Sequence, residues 1–370
     1  MGRTVVVVLA LLVGAAGGFV ASQWNTEEPT VPGAETAGGT GIGGAGDVAP
    51  IRWKMASAFG SQWPIQGELG IHLVEQVDRV TGGTVKIQFF EPNALVPPLE
   101  MFDAVSQGSI DAAWASAGLW AGKIPALQFF TAVPFGPGIG EYLGWLYADG
   151  AEKTYRDLYV PHGIHAMHCG LHSPEGSGWF REEIRSIEDL RGLKMRFFGL
   201  GARVMEKLGV STQLLAGGDI FPALELGAID AAEYSMPVID LNQGFYQVAK
   251  HYYFPGWHQQ TSLFELLVSD DRWNELSLMQ QAQIEMVCEA NFVRGAAIGE
   301  AAQSEALAEL ADRGVQFHRW SPEILDAMRE GWKEVVAEES AKDADFARVA
   351  EAYFDFHERY RTWAEYGYLR

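Results

Sequence analysis

"AVSQGSIDAAW" at 104–114 is written again 119 residues later as "ALELGAIDAAE" at 223–233, with six of eleven positions identical. Each copy reads as a short apolar helix closed by Gly and followed by a strand rich in Ile and Ala. Upstream of the first copy, "IRWKMAS" (51–57) has strand character, "IQGELGIHLVEQVDRVTGG" (65–83) is an amphipathic helix ending in a Gly pair, and "TVKIQFF" (84–90) is a second strand. With "LEMFDAVSQG" (99–108) as helix and "SIDAAWAS" (109–116) as strand, the order is β-α-β-α-β, the unit of an open α/β sheet. The second half follows the same plan. "GIHAMHCG" (163–170) and "LKMRFFG" (193–199) read as strands, "LGARVMEKLG" and "DIFPALELG" as helices, and "AIDAAEYS" (228–235) as the closing strand. A period of 119 residues is too long for a solenoid, so the repeat predicts two similar α/β lobes. The copies break at their last position, where Trp114 becomes Glu233.

The 370 residues, 48% hydrophobic, are enough for two cores. A formal charge of -21 excludes sequence-independent attraction to nucleic-acid phosphates or an anionic membrane, both of which need clustered Lys and Arg. An anionic ligand must therefore be held by a local positive group. Residues 1–22 read as a signal peptide or an uncleaved N-terminal anchor, and the Gly/Thr/Pro/Ala-rich stretch 23–48 as a disordered linker. The expected division places lobe I at 49–170, lobe II at 171–265, crossing segments and a long helix at 266–320, and C-terminal helices at 321–370. Cys169 and Cys288 lie in apolar contexts and are expected to be buried free thiols, with pairing in an oxidising compartment left open. Phe346, Val349, Tyr353, Phe356 and Tyr360 recur at helical spacing. They predict a helix packed on its own protein, with a homodimer contact as the alternative.

The chemistry-bearing residues are few. His165 and His168 would point to opposite faces of a strand and cannot share a metal. There is no G-x-S-x-G or C-x-x-C, and "FFGLGARVMEKLG" lacks both the third Gly of a dinucleotide turn and a phosphate-binding Lys. Arg196 stands near the end of the strand "LKMRFF", just before a helix N-terminus, where a guanidinium fork suits a carboxylate. Glu233 and Tyr234 sit at the carboxyl end of another strand, the position at which open α/β sheets bind ligands. A carboxylate there repels an anionic ligand unless a cation lies between them.

From about Ile51 to Arg370 the chain resembles the extracytoplasmic solute-binding proteins of TRAP transporters, and within them the branch that binds 2-oxo acids and related monocarboxylates. The resemblance rests on "GKIPALQFFTAVPFG", "GSGWFREEI", "LKMRFFGLGARVMEKLG", "GAIDAAEYSMP" and "GFYQVAKHYYFPGWH". It implies a two-lobed α/β solute-binding fold, each lobe an open mixed sheet flanked by helices, with the ligand cleft between the lobes and a helical C-terminus. It also implies a small organic acid as ligand, TRAP permease membrane subunits as partners, a periplasmic location and no catalysis. Arg196 then holds the substrate carboxylate bidentately, and Glu175, Glu233 and Tyr234 hold a bridging Na⁺ or Ca²⁺. Further substrate contacts are expected from Glu175, from His258 at the end of "YYFPGWH", and from the aromatic walls Phe59, Trp120 and Phe130, with ordinary packing as the alternative for each wall; Met236 is expected either to line the cleft or to belong to the core. Glu175 departs from the branch, which typically has Gln there, and a second carboxylate favours Ca²⁺. Two rival readings are an exported metal-dependent hydrolase using Glu175, Glu233 and His168 or His172, and a membrane-tethered sensor.

Overall fold

The computed structural model describes residues 49–369. The leader and linker expected over 1–48 lie outside the described residues. Among those described, no helix is long and apolar enough to cross a membrane. The strands are β1 (Ile51–Ser57), β2 (Val85–Phe90), β3 (Ala112–Ala115), β4 (Ile164–His172), β5 (Gly178–Phe180), β6 (Lys194–Arg196), β7 (Ser211–Gln213), β8 (Ala231–Ala232), β9 (His251–Phe254), β10 (Ser262–Ser269) and β11 (Gln316–Arg319). They form two sheets, in the orders β2-β1-β3-β10-β4 and β7-β6-β8-β5-β9-β11.

The repeat is visible in this topology. β1 pairs in parallel with β2 and β3, and β6 pairs in parallel with β7 and β8. The two copies of the quoted motif end in β3 and β8, which occupy matching places. The next strand in each sheet is antiparallel, β10 beside β3 and β5 beside β8. The chain changes sheets between β4 and β5, over 173–177, changes back between β9 and β10, over 255–261, and crosses a third time between β10 and β11, over 270–315. One crossing thus lies in 266–320, as expected there, and two others precede it. β10, which the expected boundary at 265 would cut, is a single strand of the first sheet. It is buried at every position and has antiparallel partners on both sides.

The helix Leu278–Asp312 begins with a capping box at Ser277 and packs on β4, on the helix Gln66–Val80 and on the helix Pro237–Gln243. Two glycines permit its close approach to the first crossing. A Cβ on Gly295 would stand 2.7 Å from the Leu171 carbonyl, and one on Gly299 would stand 2.5 Å from Ser173 Oγ. Cys288 of this helix is bonded to Cys169 of β4, so the expectation of free thiols is corrected. One helical turn on, Asn291 donates to the carbonyls of Leu69 (3.2 Å) and Cys169 (2.7 Å).

The C-terminal helices are Pro322–Lys342 and Ala344–Tyr366. Phe346 and Tyr353 bury against Phe129, with ring centroids 4.9 and 5.3 Å apart, as expected for a helix packed on its own protein. Trp120 and Phe130 do not line the cleft. Both are wholly buried in the first lobe, where Trp120 Nε1 donates to Glu265 at 2.6 Å and Phe130 packs on Trp145 and Tyr155. Their bulk fills the space behind the sheet, and the indole takes its partner there.

Glu265 also accepts hydrogen bonds from Tyr155 and from Tyr159 (2.7 Å). Burial nonetheless raises its carboxyl to about 7, because three neutral donors replace water only in part. The folded pKa lies above the unfolded value of about 4.3, so the native state binds more protons in the interval between them. This group's contribution to stability therefore falls as pH rises from about 4.3 to 7. Glu265→Gln removes that slope. Urea midpoints at pH 5 and pH 7.5 should show the variant gaining on the parent with rising pH, by on the order of 3 kcal/mol at most. Parallel midpoints would contradict the assignment.

Candidate functional site

The first two crossings and two strand ends meet at one place. The first crossing carries Glu175, the second carries His258 and Gln259, β6 ends in Arg196, and β8 is followed by Glu233 and Tyr234. β6 and β8 are held in register by Arg196↔Ala232 pairing and extended by the bond from Glu233 N to the Arg196 carbonyl (3.0 Å). That register places the two charged side chains together. Arg196 Nη1 donates to the Glu233 carbonyl at 2.6 Å and to Glu233 Oε2 at 2.9 Å, while Nε reaches the Leu215 carbonyl at 3.2 Å.

Among the described residues, no acceptor is bonded to Arg196 Nη2. Arg196 lines a cavity of about 50 Å³ between the lobes, roofed by Phe59, Gln66, Ser116 and Leu119 of the first lobe and floored by Phe198 and Tyr234 of the second. At roughly 10–15 Å³ per water position, this is room for a ligand of only a few heavy atoms. The bidentate grip implied by the resemblance is not open in this arrangement. Nη1 already has two partners, so a second contact requires Nε to give up its long bond to Leu215.

Glu175, Glu233 and His258 each offer one atom within 4.8 Å of the others, and all three are buried. His258 Nε2 lies 2.6 Å from Glu175 Oε1 and 3.5 Å from Glu233 Oε1. Burial raises the Glu175 carboxyl to about 8 against the pull of His258. For Glu233 burial is outweighed by Arg196, His258 and the Phe198 N–H, which hold it below its ordinary value. Burial alone would depress His258, but its bonds to Glu175 and Glu233 lift it to about 9. Glu175 Oε2 and Glu233 Oε1 are buried without a hydrogen-bond partner, as is Gln259 Oε1. A buried cluster in which each glutamate keeps one oxygen without a hydrogen-bond partner fits a cation, because leaving such oxygens bare costs desolvation energy with nothing to offset it.

The other expected site residues fall as follows. Phe59 lines the cavity and meets Phe264 edge-on at 5.5 Å. Tyr234 lies with its ring 5.3 Å from the Arg196 guanidinium carbon and its hydroxyl 3.1 Å from Gln66 Oε1, across the cleft. Met236 is not in the cavity. It is fully buried, and its sulfur faces Gln303 of the long helix at 3.6 Å. His258 likewise does not line the cavity, since its ring is turned onto the two glutamates. Neither histidine of the hydrolase reading is available as a base. His168 is packed in the first-lobe core with its ring centroid 4.1 Å from that of Tyr155, and burial pushes it down to about 3. His172 bonds the Ser173 carbonyl at 2.7 Å and the Ser235 hydroxyl at 2.8 Å, and burial holds it near 4, so a neutral ring donates at Nδ1 and accepts at Nε2.

Sequence reasoning missed Gln66, Gln259 and Phe198. Gln66 was legible as an amide opening the first long helix, and Gln259 as the neighbour of His258, but neither type marks a site alone. Trp114, the other half of the break in the repeat, is tied to the same place. Its indole donates to the Gln66 carbonyl at 2.8 Å and so fixes the residue that faces Tyr234.

Two lobes joined by three crossings, with a buried arginine lining the space between them, define a two-lobed solute-binding protein. The chain belongs to family 7 of the bacterial extracellular solute-binding proteins (DctP), whose model matches residues 55–343. It is 35% identical over 317 residues to the monocarboxylate 2-oxoacid-binding periplasmic protein of Nostoc sp., covering 85% of this chain and 86% of that one. A TRAP transporter solute-binding protein from Bordetella bronchiseptica is a mixed-occupancy dimer with one active site holding copurified calcium and picolinate and the other apo. It aligns with a TM-score of 0.83 at 33% identity, over 85% of this chain and 94% of its own. A TRAP periplasmic solute-binding protein from Pseudoalteromonas atlantica with bound sodium and pyruvate aligns with a TM-score of 0.81 at 27% identity, over 86% and 97%. This chain is thus the solute-binding component of a TRAP transporter.

Proposed function

We propose that the protein captures a short 2-oxo monocarboxylate of about the size of pyruvate, together with a bridging cation, and delivers it unchanged to the membrane permease. The observation that carries this reading is Arg196, which lines a cavity of about 50 Å³ and whose Nη2 has no acceptor among the described residues. Beside the same cluster lie two carboxylate oxygens without partners. The relatives support it: the Nostoc protein is a monocarboxylate 2-oxoacid binder, and the two solved structures hold pyruvate or picolinate with a metal ion.

In this reading Arg196 takes the ligand carboxylate, Glu175 and Glu233 hold the cation with the backbone at Tyr234, and Phe59 covers the apolar end. The cation would supply the positive charge that lets two protein carboxylates and a ligand carboxylate share one space. Its second carboxylate favours Ca²⁺ over Na⁺. Exhaustive chelation in sodium buffer should lower ligand affinity at least about tenfold, and Ca²⁺ should restore it. Glu175→Gln should reduce that Ca²⁺ dependence and leave binding supported by Na⁺. Calorimetry with pyruvate before and after chelation checks this, and unchanged affinity in sodium buffer would refute the Ca²⁺ assignment.

The C-terminal end supports a homodimer contact. The inner face of the last helix packs on its own protein, whereas Trp363, Tyr366 and Tyr368 remain 58%, 79% and 52% exposed. Trp363→Ala with Tyr366→Ala should shift a sedimentation equilibrium toward monomer, and an unchanged mass would exclude this contact.

A further inference from the structure

Phe198 is the second residue beyond β6, and three contacts place its backbone and its ring. Its backbone N–H donates to Glu233 Oε2 at 2.9 Å, the same oxygen that receives Arg196 Nη1. Its ring lies 5.8 Å from the Arg196 guanidinium carbon. Its tip reaches across the cleft to Gly118 of the first lobe, so closely that a Cβ on Gly118 would stand 2.0 Å from Phe198 Cζ. Gly118 lies in the helical turn Ala117–Trp120 that follows β3, three residues beyond the strand of the first repeat copy. The gap is real only while the lobes are together, since the two residues belong to different sheets.

We propose that Phe198 and Gly118 form a steric gate that sets how large an acid can be held with the lobes closed. This inference rests on the binding reading above and extends it to ligand size. Phe198, Leu119 and Pro98 line the cavity together, so the ring takes up space that a longer or branched ligand tail would need. Gly118 is what allows the ring to seat. Any side chain at 118 meets the ring unless one of the lobes stays back. Because the Phe198 backbone N–H bonds the carboxylate that holds Arg196, the backbone from which the ring projects is tied to the ligand's anchor. Closure, charge pairing and ligand size thereby meet at one residue. A neighbouring contact is tight in the same way: a Cβ on Gly217 would stand 2.3 Å from the Tyr234 hydroxyl and 3.0 Å from Trp63 of the other lobe.

The test is a double-mutant cycle read with two ligands, pyruvate and the branched 4-methyl-2-oxopentanoate, each titrated into the full protein with Ca²⁺ present. Gly118→Ala should weaken pyruvate binding at least about tenfold by lowering the population of the closed state, since apparent affinity scales with that fraction. Phe198→Ala should improve the branched acid relative to pyruvate by about tenfold or more, the scale that a methylene or two commands in an apolar pocket. In Gly118→Ala/Phe198→Ala, removal of the ring should restore most of the loss caused by Gly118→Ala, a strongly non-additive result. Additive losses in the double variant, or an unchanged ligand ratio in Phe198→Ala, would overturn the gate. Failure of the unmodified protein to bind either acid would instead refute the binding reading itself. Melting curves without ligand show whether each variant folds. If Gly118→Ala does not fold, Gly118→Ser and the Phe198→Leu ligand ratio carry the test, with the same outcomes deciding it.

Discussion

Arg196→Ala should raise the dissociation constant for pyruvate by about 10-fold to 150-fold. A hydrogen bond to a charged group contributes about 1.5–3 kcal/mol, and each 1.4 kcal/mol is a factor of ten in affinity. The loss is not confined to the ligand contact. Arg196 is 3% exposed and balances Glu233, which is 1% exposed, so its removal leaves a buried carboxylate without its strongest partner. Breaking such a pair typically costs about 3–5 kcal/mol of stability. The variant must therefore be measured below its lowered melting temperature, with near-UV circular dichroism confirming the fold. Arg196→Lys separates the two effects. It keeps the charge beside Glu233 but replaces the planar fork with a single ammonium, so stability should recover while affinity stays at least about tenfold down. Binding within threefold of the parent in Arg196→Ala would remove Arg196 from the site.

Replacing Cys169 and Cys288 together by Ser should cost about 4–5 kcal/mol of unfolding free energy, the chain-entropy value for a loop of this order. The bond closes a sequence separation of 119 residues and ties the long helix to β4 of the first sheet. Neither cysteine lines the cavity, so pyruvate affinity at 20 °C should stay within about threefold. Urea unfolding of the exported protein, with and without reductant, checks both statements. Two thiols titrating in the unreduced protein would show that the bond does not form. Ser277 caps the same helix, and Asn291 bonds it to the Cys169 carbonyl, so the helix should stay docked after the bond is removed.

Much of the fold was legible because it is local. The strand at 51–57 and the helix from Gln66 were marked by alternation and by helical periodicity, and the structure places them at Ile51–Ser57 and Gln66–Val80. The position of Arg196 at a strand end was legible for the same reason, since three apolar and basic residues before a Gly turn set the boundary. The walls were not. Trp120 and Met236 look like cleft residues in one dimension, yet Trp120 is needed by the buried Glu265, and Met236 fills space under the long helix. An aromatic or a methionine in an apolar segment carries no mark of which of two cores it will enter.

The sequence by itself determined that there are two lobes, that they share a motif, and that the second copy ends in a carboxylate near an arginine. These follow from short-range patterns of burial and from turn chemistry, which act within one element or between neighbours. Only the tertiary structure decided which sheet each strand joins. β10 and β5 are apolar runs whose pattern suits either sheet, and the pairing energy that selects one comes from partners far along the chain. The same is true of the site. Glu175 meets His258 at 2.6 Å across 83 residues of sequence, and Gly118 meets Phe198 only when the lobes come together. A hydrogen bond or a steric contact acts over a few ångströms, so the chain must already be folded before such residues have anything to do with one another.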